Sequence, residues 1–94
     1  MIVRILGEGQ WDVPADALDN LNVLDDQVEH AVGAGDQAGL GAALASLLDE
    51  VRSCGTVVPD EELRDSDLIL PSADSTLEDV RAMLSESEEG LIPG

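Results

Sequence analysis

The 94-residue chain contains no lysine, phenylalanine or tyrosine, and only one tryptophan (Trp11), one histidine (His30) and one cysteine (Cys54). Each shortage excludes something. Without lysine there is no Gly-Lys-Ser/Thr phosphate loop. With one aromatic residue there is no platform on which to stack bases or sugars, which removes the usual single-strand nucleic-acid and glycoside readings. A lone cysteine excludes an internal disulfide, and one cysteine with one histidine do not make a structural zinc site. The same scarcity leaves no Ser/His/Asp or Cys/His arrangement to choose from. No apolar run approaches the roughly 20 residues of a membrane span, and no basic, apolar leader precedes the first strand-like segment, so a cytoplasmic protein is expected.

Acid is what the chain has in excess. Twenty-one Asp and Glu residues face four bases, all arginine (Arg4, Arg52, Arg64, Arg81), for a net charge of −17. Most of the acids must be solvated, because an unpaired buried carboxylate is very costly. Such a field repels phosphate backbones and anionic headgroups, so neither nucleic-acid binding nor direct membrane insertion is expected. Its complements are a basic protein surface or metal cations, and the acids also serve plain solubility. The apolar residues, 44% of the chain, are almost all small aliphatics. They suffice for one domain, residues 1–94, with a core of small pieces.

The periodicity predicts an α+β fold. Residues 2–6 and 10–13 read as two strands joined by Gly7-Glu8-Gly9, a β-hairpin. Ile2, Arg4 and Leu6 share one strand face, so Arg4 is expected at a sheet edge or paired with an acid. Pro14 suits the first turn of a helix running to residue 33, with Leu18, Leu21, Leu24, Val28, Ala31 and Val32 as its buried stripe. Asp25 falls at the margin of that stripe, where an arginine or a backbone N–H is its expected partner. Gly33-Ala34-Gly35 ends this helix and Asp36 caps a second. Leu40, Ala43, Leu44, Leu47, Leu48 and Val51 line that second helix, and Gly55 suits the position after it. Two such helices with a short link predict an antiparallel helical hairpin. Residues 56–66 read as an acidic connection with a turn after Pro59. Residues 67–71 form a third short strand, and the capping-box spacing from Ser75 to Glu78 opens a short final helix.

The glycine pair at the first turn does not hold a phosphate. The dinucleotide fingerprint needs a third glycine where Asp12 stands, and Glu8 repels an anion. His30 sits on the polar side of the first helix near Asp26 and Glu29 and reads as a surface residue. Cys54 and Trp11 read as core. The acids of 60–67 lack the alternating pattern, glycine and closing glutamate of a calcium loop. No catalytic, cofactor-binding or metal-binding residue is assigned.

Taken in order, "MIVRILGEGQW", "LNVLDDQV", "AGLGAALASLLDEVRSCGTVVPDEEL", "SDLILPSADSTLEDVRAML" and "EGLIPG" resemble the PspA-associated protein family, PspAA, over nearly the whole length. The central "VGAGDQAGLG" departs from it in its glycine content. The resemblance implies a bacterial or archaeal cytoplasmic protein encoded beside phage-shock protein A, a long helical membrane-remodelling partner of the ESCRT-III type. It carries no catalytic motif and implies an accessory or regulatory part in an envelope-stress response. The expected function is therefore protein–protein interaction by a non-enzyme, without cofactor. Val23, Asp26 and Glu29 on the first helix and Leu91 and Ile92 at the C-terminus are the candidate contacts. The rival readings are a divalent-cation or small-molecule sensing module built on the acids of 60–67, and an acidic mimic of nucleic acid.

Overall fold

The computed structural model describes residues 1–59, 61, 62 and 64–85; Leu91 and Ile92 lie outside the described residues. Strands β1 (Ile2–Ile5) and β2 (Gly9–Asp12) form the expected antiparallel hairpin, with Val3 opposite Trp11. Its turn is closed by the Glu8 N–H donating to the Ile5 carbonyl at 3.0 Å. Gly7 takes φ 84°, the left-handed backbone that a type II turn puts on glycine at its third position.

A 3-10 turn (Ala15–Ala17) leads into α1 (Leu18–Ala34). The first turn is thus tighter than the α-helix expected from residue 15, and Pro14 stands before it in extended conformation. Helix α1 ends at Gly35, with φ 67°. Asp36 then caps α2 (Gln37–Cys54) as expected, its Oδ1 accepting from the Gly39 N–H at 3.0 Å. This cap also explains Gly39. A Cβ there would run into the Asp36 carboxylate, whereas one on Gly41 would meet nothing within 4 Å.

Behind the hairpin lie α1 and α2, packed antiparallel against one face of the sheet. Leu21 and Val28 of α1 and Leu40, Leu44, Leu47, Leu48 and Val51 of α2 are fully buried against Val3, Ile5, Val13 and Leu70. Burying each such side chain contributes about 1.5–3 kcal/mol, which is how a core without large aromatics holds together. Asp25 is deeper than its expected marginal place, only 2% exposed.

Among the described residues the sheet has four strands, not three, in the order β3-β2-β1-β4. Strand β3 (Thr56–Val58) lies in the segment expected to be a plain connection and pairs antiparallel with β2. Three residues carry no period to read; pairing with Gln10, Trp11 and Asp12 makes them a strand. Strand β4 (Leu68–Leu70) is the third strand of the sequence reading and runs parallel to β1. Strand β1 is therefore central, which corrects the placing of Arg4. It is neither at an edge nor ion-paired among the described residues; its Nε donates to Ser66 Oγ at 3.4 Å. Arg64 and Ser66, ahead of β4, lie on the sheet face away from the helices. There Gln10, 7% exposed, donates from Nε2 to the Arg64 carbonyl (2.7 Å) and to Ser66 Oγ (2.8 Å).

Helix α3 (Leu77–Ser85) starts one residue later than the predicted box. Thr76 Oγ1 accepts from the Asp79 N–H, and the Asp79 carboxylate accepts from the Thr76 N–H, both at 3.2 Å. The reciprocal cap is thus Thr76 with Asp79, while Ser75 is buried within hydrogen-bond distance of Ser72. The Leu77 N–H donates to Gln37 Oε1 at 3.0 Å, and Arg81 donates to the last-turn carbonyl of Val32 at 3.2 Å. These bonds fasten α3 across the tip of the helical hairpin.

Candidate interaction surface

The outward face of α1 is set by its own periodicity. With Leu21, Asp25, Val28 and Val32 turned inward, Asp19, Val23, Asp26 and His30 fall along the opposite ridge at spacings of four, three and four. All four are exposed, Val23 at 58%. Glu29 is also exposed, to one side of that ridge. The structure therefore brings Val23 and Asp26 together on one line, with Glu29 beside them.

Among the described residues no arginine forms an ion pair with these acids. Arg52 donates to both carboxylate oxygens of Glu8 and, at 2.9 Å, to Asp49. Glu8 is the main reason the Arg52 guanidinium is held above its ordinary pKa, burial opposing it. Arg64 lies 3.5 Å from Asp12 and 3.7 Å from Glu62. Arg4 and Arg81 are bound to Ser66 and Val32 as described. Every arginine is thus turned to a partner within the fold. Asp16, Asp19, Asp26 and Glu29 are exposed and enter no ion pair among the described residues. The outward side of the first helix and the turn before it therefore carry a negative field, as do other parts of the surface.

The Gly7-Glu8-Gly9 loop borders a shallow depression of about 540 Å³ lined by Leu6, Glu8, Ser72 and Asp74. Its charged walls are acids, and Glu8 is committed to Arg52. This is a turn and an attachment point, not an anion cradle.

Cys54 is half-buried against the core. Burial, and secondarily the nearby Glu50, push its thiol pKa up, which is the opposite of an activated nucleophile. Among the described residues no group of three or more His, Cys, Asp or Glu is placed to hold a metal ion. No described helix is long and apolar enough to cross a membrane.

One feature was not singled out in the sequence. Between α1 and α2, on the side away from the sheet, runs an open groove of about 310 Å³. Ala31 and Ala43, each 7% exposed, form its floor, and Ala34, Ala42 and Gly39 its sides. Gln27, His30, Asp36 and Ser46 make a polar rim. The density of alanine and glycine between residues 31 and 46 was the available signal. It reads equally well as helix composition until the two helices are placed side by side.

The model of the PspA-Associated protein family, PspAA, matches residues 1–94, the whole chain, and the protein belongs to that family. The curated proteins and the solved structures give no significant match.

Proposed function

From membership of the PspA-Associated protein family, we propose that this protein is a non-enzymatic accessory or regulatory subunit that binds a PspA-like helical membrane-remodelling protein. The acidic face of α1 is its contact surface. The carrying observation is the disposition of charge: the four arginines are used inside the fold, while Asp16, Asp19, Asp26 and Glu29 face solvent. The complement of that face is a basic stretch on a long helix. Attraction between the two speeds encounter and weakens with salt, while the exposed Val23 supplies an apolar contact at the centre of the ridge. Leu91 and Ile92 are proposed as further contacts. The protein acts in the cytoplasm, reaches the inner face of the membrane through its partner, and in that role binds neither nucleic acid nor the bilayer directly.

The test is co-purification of the tagged chain with PspA from the same cells at low and at high salt. Recovery of PspA at low salt, reduced at high salt and reduced further in a Val23→Ala/Asp26→Asn/Glu29→Gln variant, is the expected result. Salt-independent recovery that the variant leaves unchanged overturns the acidic face. Absence of PspA under both conditions overturns the partner.

A further inference from the structure

Resting on the reading of a basic helical partner, we infer that the groove between α1 and α2 is the seat of one helix of that partner. That helix sets an apolar side chain on the Ala31–Ala43 floor and Lys or Arg side chains beside Asp36 on the rim and Asp26 on the adjoining ridge. Three observations converge on this seat.

The first is shape. Interaxial distance between packed helices is set by the side chains at the crossing, and small residues permit the closest approach. Here both helices are small where they border the groove: Ala34 on α1, Ala42 and Gly39 on α2, over a floor of two more alanines. The floor is already closed by the two helices, while Ala34 and Ala42 are exposed. A third helix can therefore be accepted without repacking the core. The groove is open, and its polar groups sit around the rim instead of converging on a point. That suits the side of a helix better than an enclosed metabolite.

The second is charge. Asp36 stands on the rim itself, and Asp26 lies on the α1 ridge one turn from His30, also on the rim. Arg52 is the one arginine on α1 or α2, and Glu8 and Asp49 already hold it. Long basic side chains laid across the rim would keep their methylenes on alanine and their charges beside carboxylates. A second copy of this chain, at net charge −17, brings the wrong sign to the same place.

The third is an exposed apolar side chain in line with the groove. Val23, exposed at 58%, lies on the ridge that borders the groove, two turns from His30. Beyond the polar Asp26 and Gln27, Val23 therefore offers a separate apolar contact in the direction a seated helix would follow.

Two measurements with purified full-length chain and full-length PspA test this. In the first, the groove is filled at exposed positions without change of charge, by Ala34→Leu and Ala42→Leu, and binding is read by titration calorimetry with circular dichroism as the folding control. Affinity is expected to fall by about tenfold or more while the helical signal is unchanged. In the second, amide shifts of the wild-type chain are followed during titration with PspA. They are expected to cluster on residues 27–46, which decides the matter even where a variant folds poorly. Wild-type binding that the leucines leave intact, with shifts on the sheet instead, overturns the groove and leaves the partner standing. No binding by the wild type overturns the partner and the groove together. Leucine variants that change only the oligomeric state assign the groove to a second copy and overturn the inference.

Discussion

Glu8, at the β1–β2 turn, and Arg52, in the last turn of α2, are 44 residues apart and meet as a two-pronged ion pair. Arg52 Nε donates to Glu8 Oε1 at 2.9 Å, and Nη2 donates to Oε2. Asp49 takes the remaining guanidinium nitrogen at 2.9 Å. The glycines on either side of Glu8 let the chain turn tightly enough to present its carboxylate to the helix. The turn is thereby fastened to the end of α2.

About a third of each partner's side-chain surface remains exposed, so the pair is worth little by itself. A double-mutant cycle with Glu8→Gln and Arg52→Met is expected to give a coupling of roughly 0.2–1 kcal/mol, smaller in high salt. Urea unfolding of the four variants measures it; a coupling that salt does not reduce contradicts the assignment.

The glycines divide by what surrounds them. A Cβ on Gly55 would lie 2.6 Å from the Val51 carbonyl and 3.1 Å from Trp11 Cβ. Its backbone is ordinary extended chain, φ −90°, so close packing and not a left-handed cap requires glycine. Gly55→Ala is expected to destabilise by about 1–3 kcal/mol. Gly41→Ala, with open space around it, is expected to stabilise by roughly 0.5–1 kcal/mol. Midpoints in denaturant report both signs.

Cys54 gives the chain an alkaline limb that is easy to isolate. The sequence has neither lysine nor tyrosine, so Cys54 is the side chain that titrates between about pH 8 and pH 11. Burial raises its pKa on folding from the ordinary 9.0. The folded state therefore holds the proton more tightly than the unfolded one. That contribution is fully present below pH 9.0 and is lost as pH rises from there through the folded value. Stability is expected to fall above about pH 9, and Cys54→Ala is expected to flatten that fall. Thermal melts across the range, with both proteins under reducing conditions, test the sign.

Self-repulsion is the cost of carrying net charge −17 on so small a chain. Salt is expected to raise the melting temperature, since screening shortens to roughly 3 Å at 1 M. Asp26→Asn and Glu29→Gln, both exposed, are expected to leave stability within about 0.5 kcal/mol or raise it slightly. The same two substitutions are expected to weaken PspA binding. A matched loss of stability would assign these acids to the fold instead of the contact.

The arginines show where reading the sequence ended. Helix stripes on α1 and α2, the Asp36 cap, the first hairpin and β4 were legible because each is a pattern within a few residues. The one-residue slip from Ser75 to Thr76 at the start of α3 belongs to the same class, since adjacent Ser and Thr offer equivalent hydroxyls. The partner of each arginine was not legible. Arg52 turns to Glu8 and Arg81 to the Val32 carbonyl, and sequence distance gives no preference among so many acids and carbonyls.

The sequence by itself determined the helical hairpin, the aliphatic core, the sign of the surface field and the lack of residues for familiar catalysis. It did so because hydrophobic period, cap chemistry and charge count are local or additive. Tertiary structure alone decided that Thr56–Val58 is a strand, that β1 is central, and that Asp25 is buried. It also decided that alanines from α1 and α2 line a common groove. Ladder bonds, burial depth and the space between two helices are properties of residue pairs, and folding chooses the pairs.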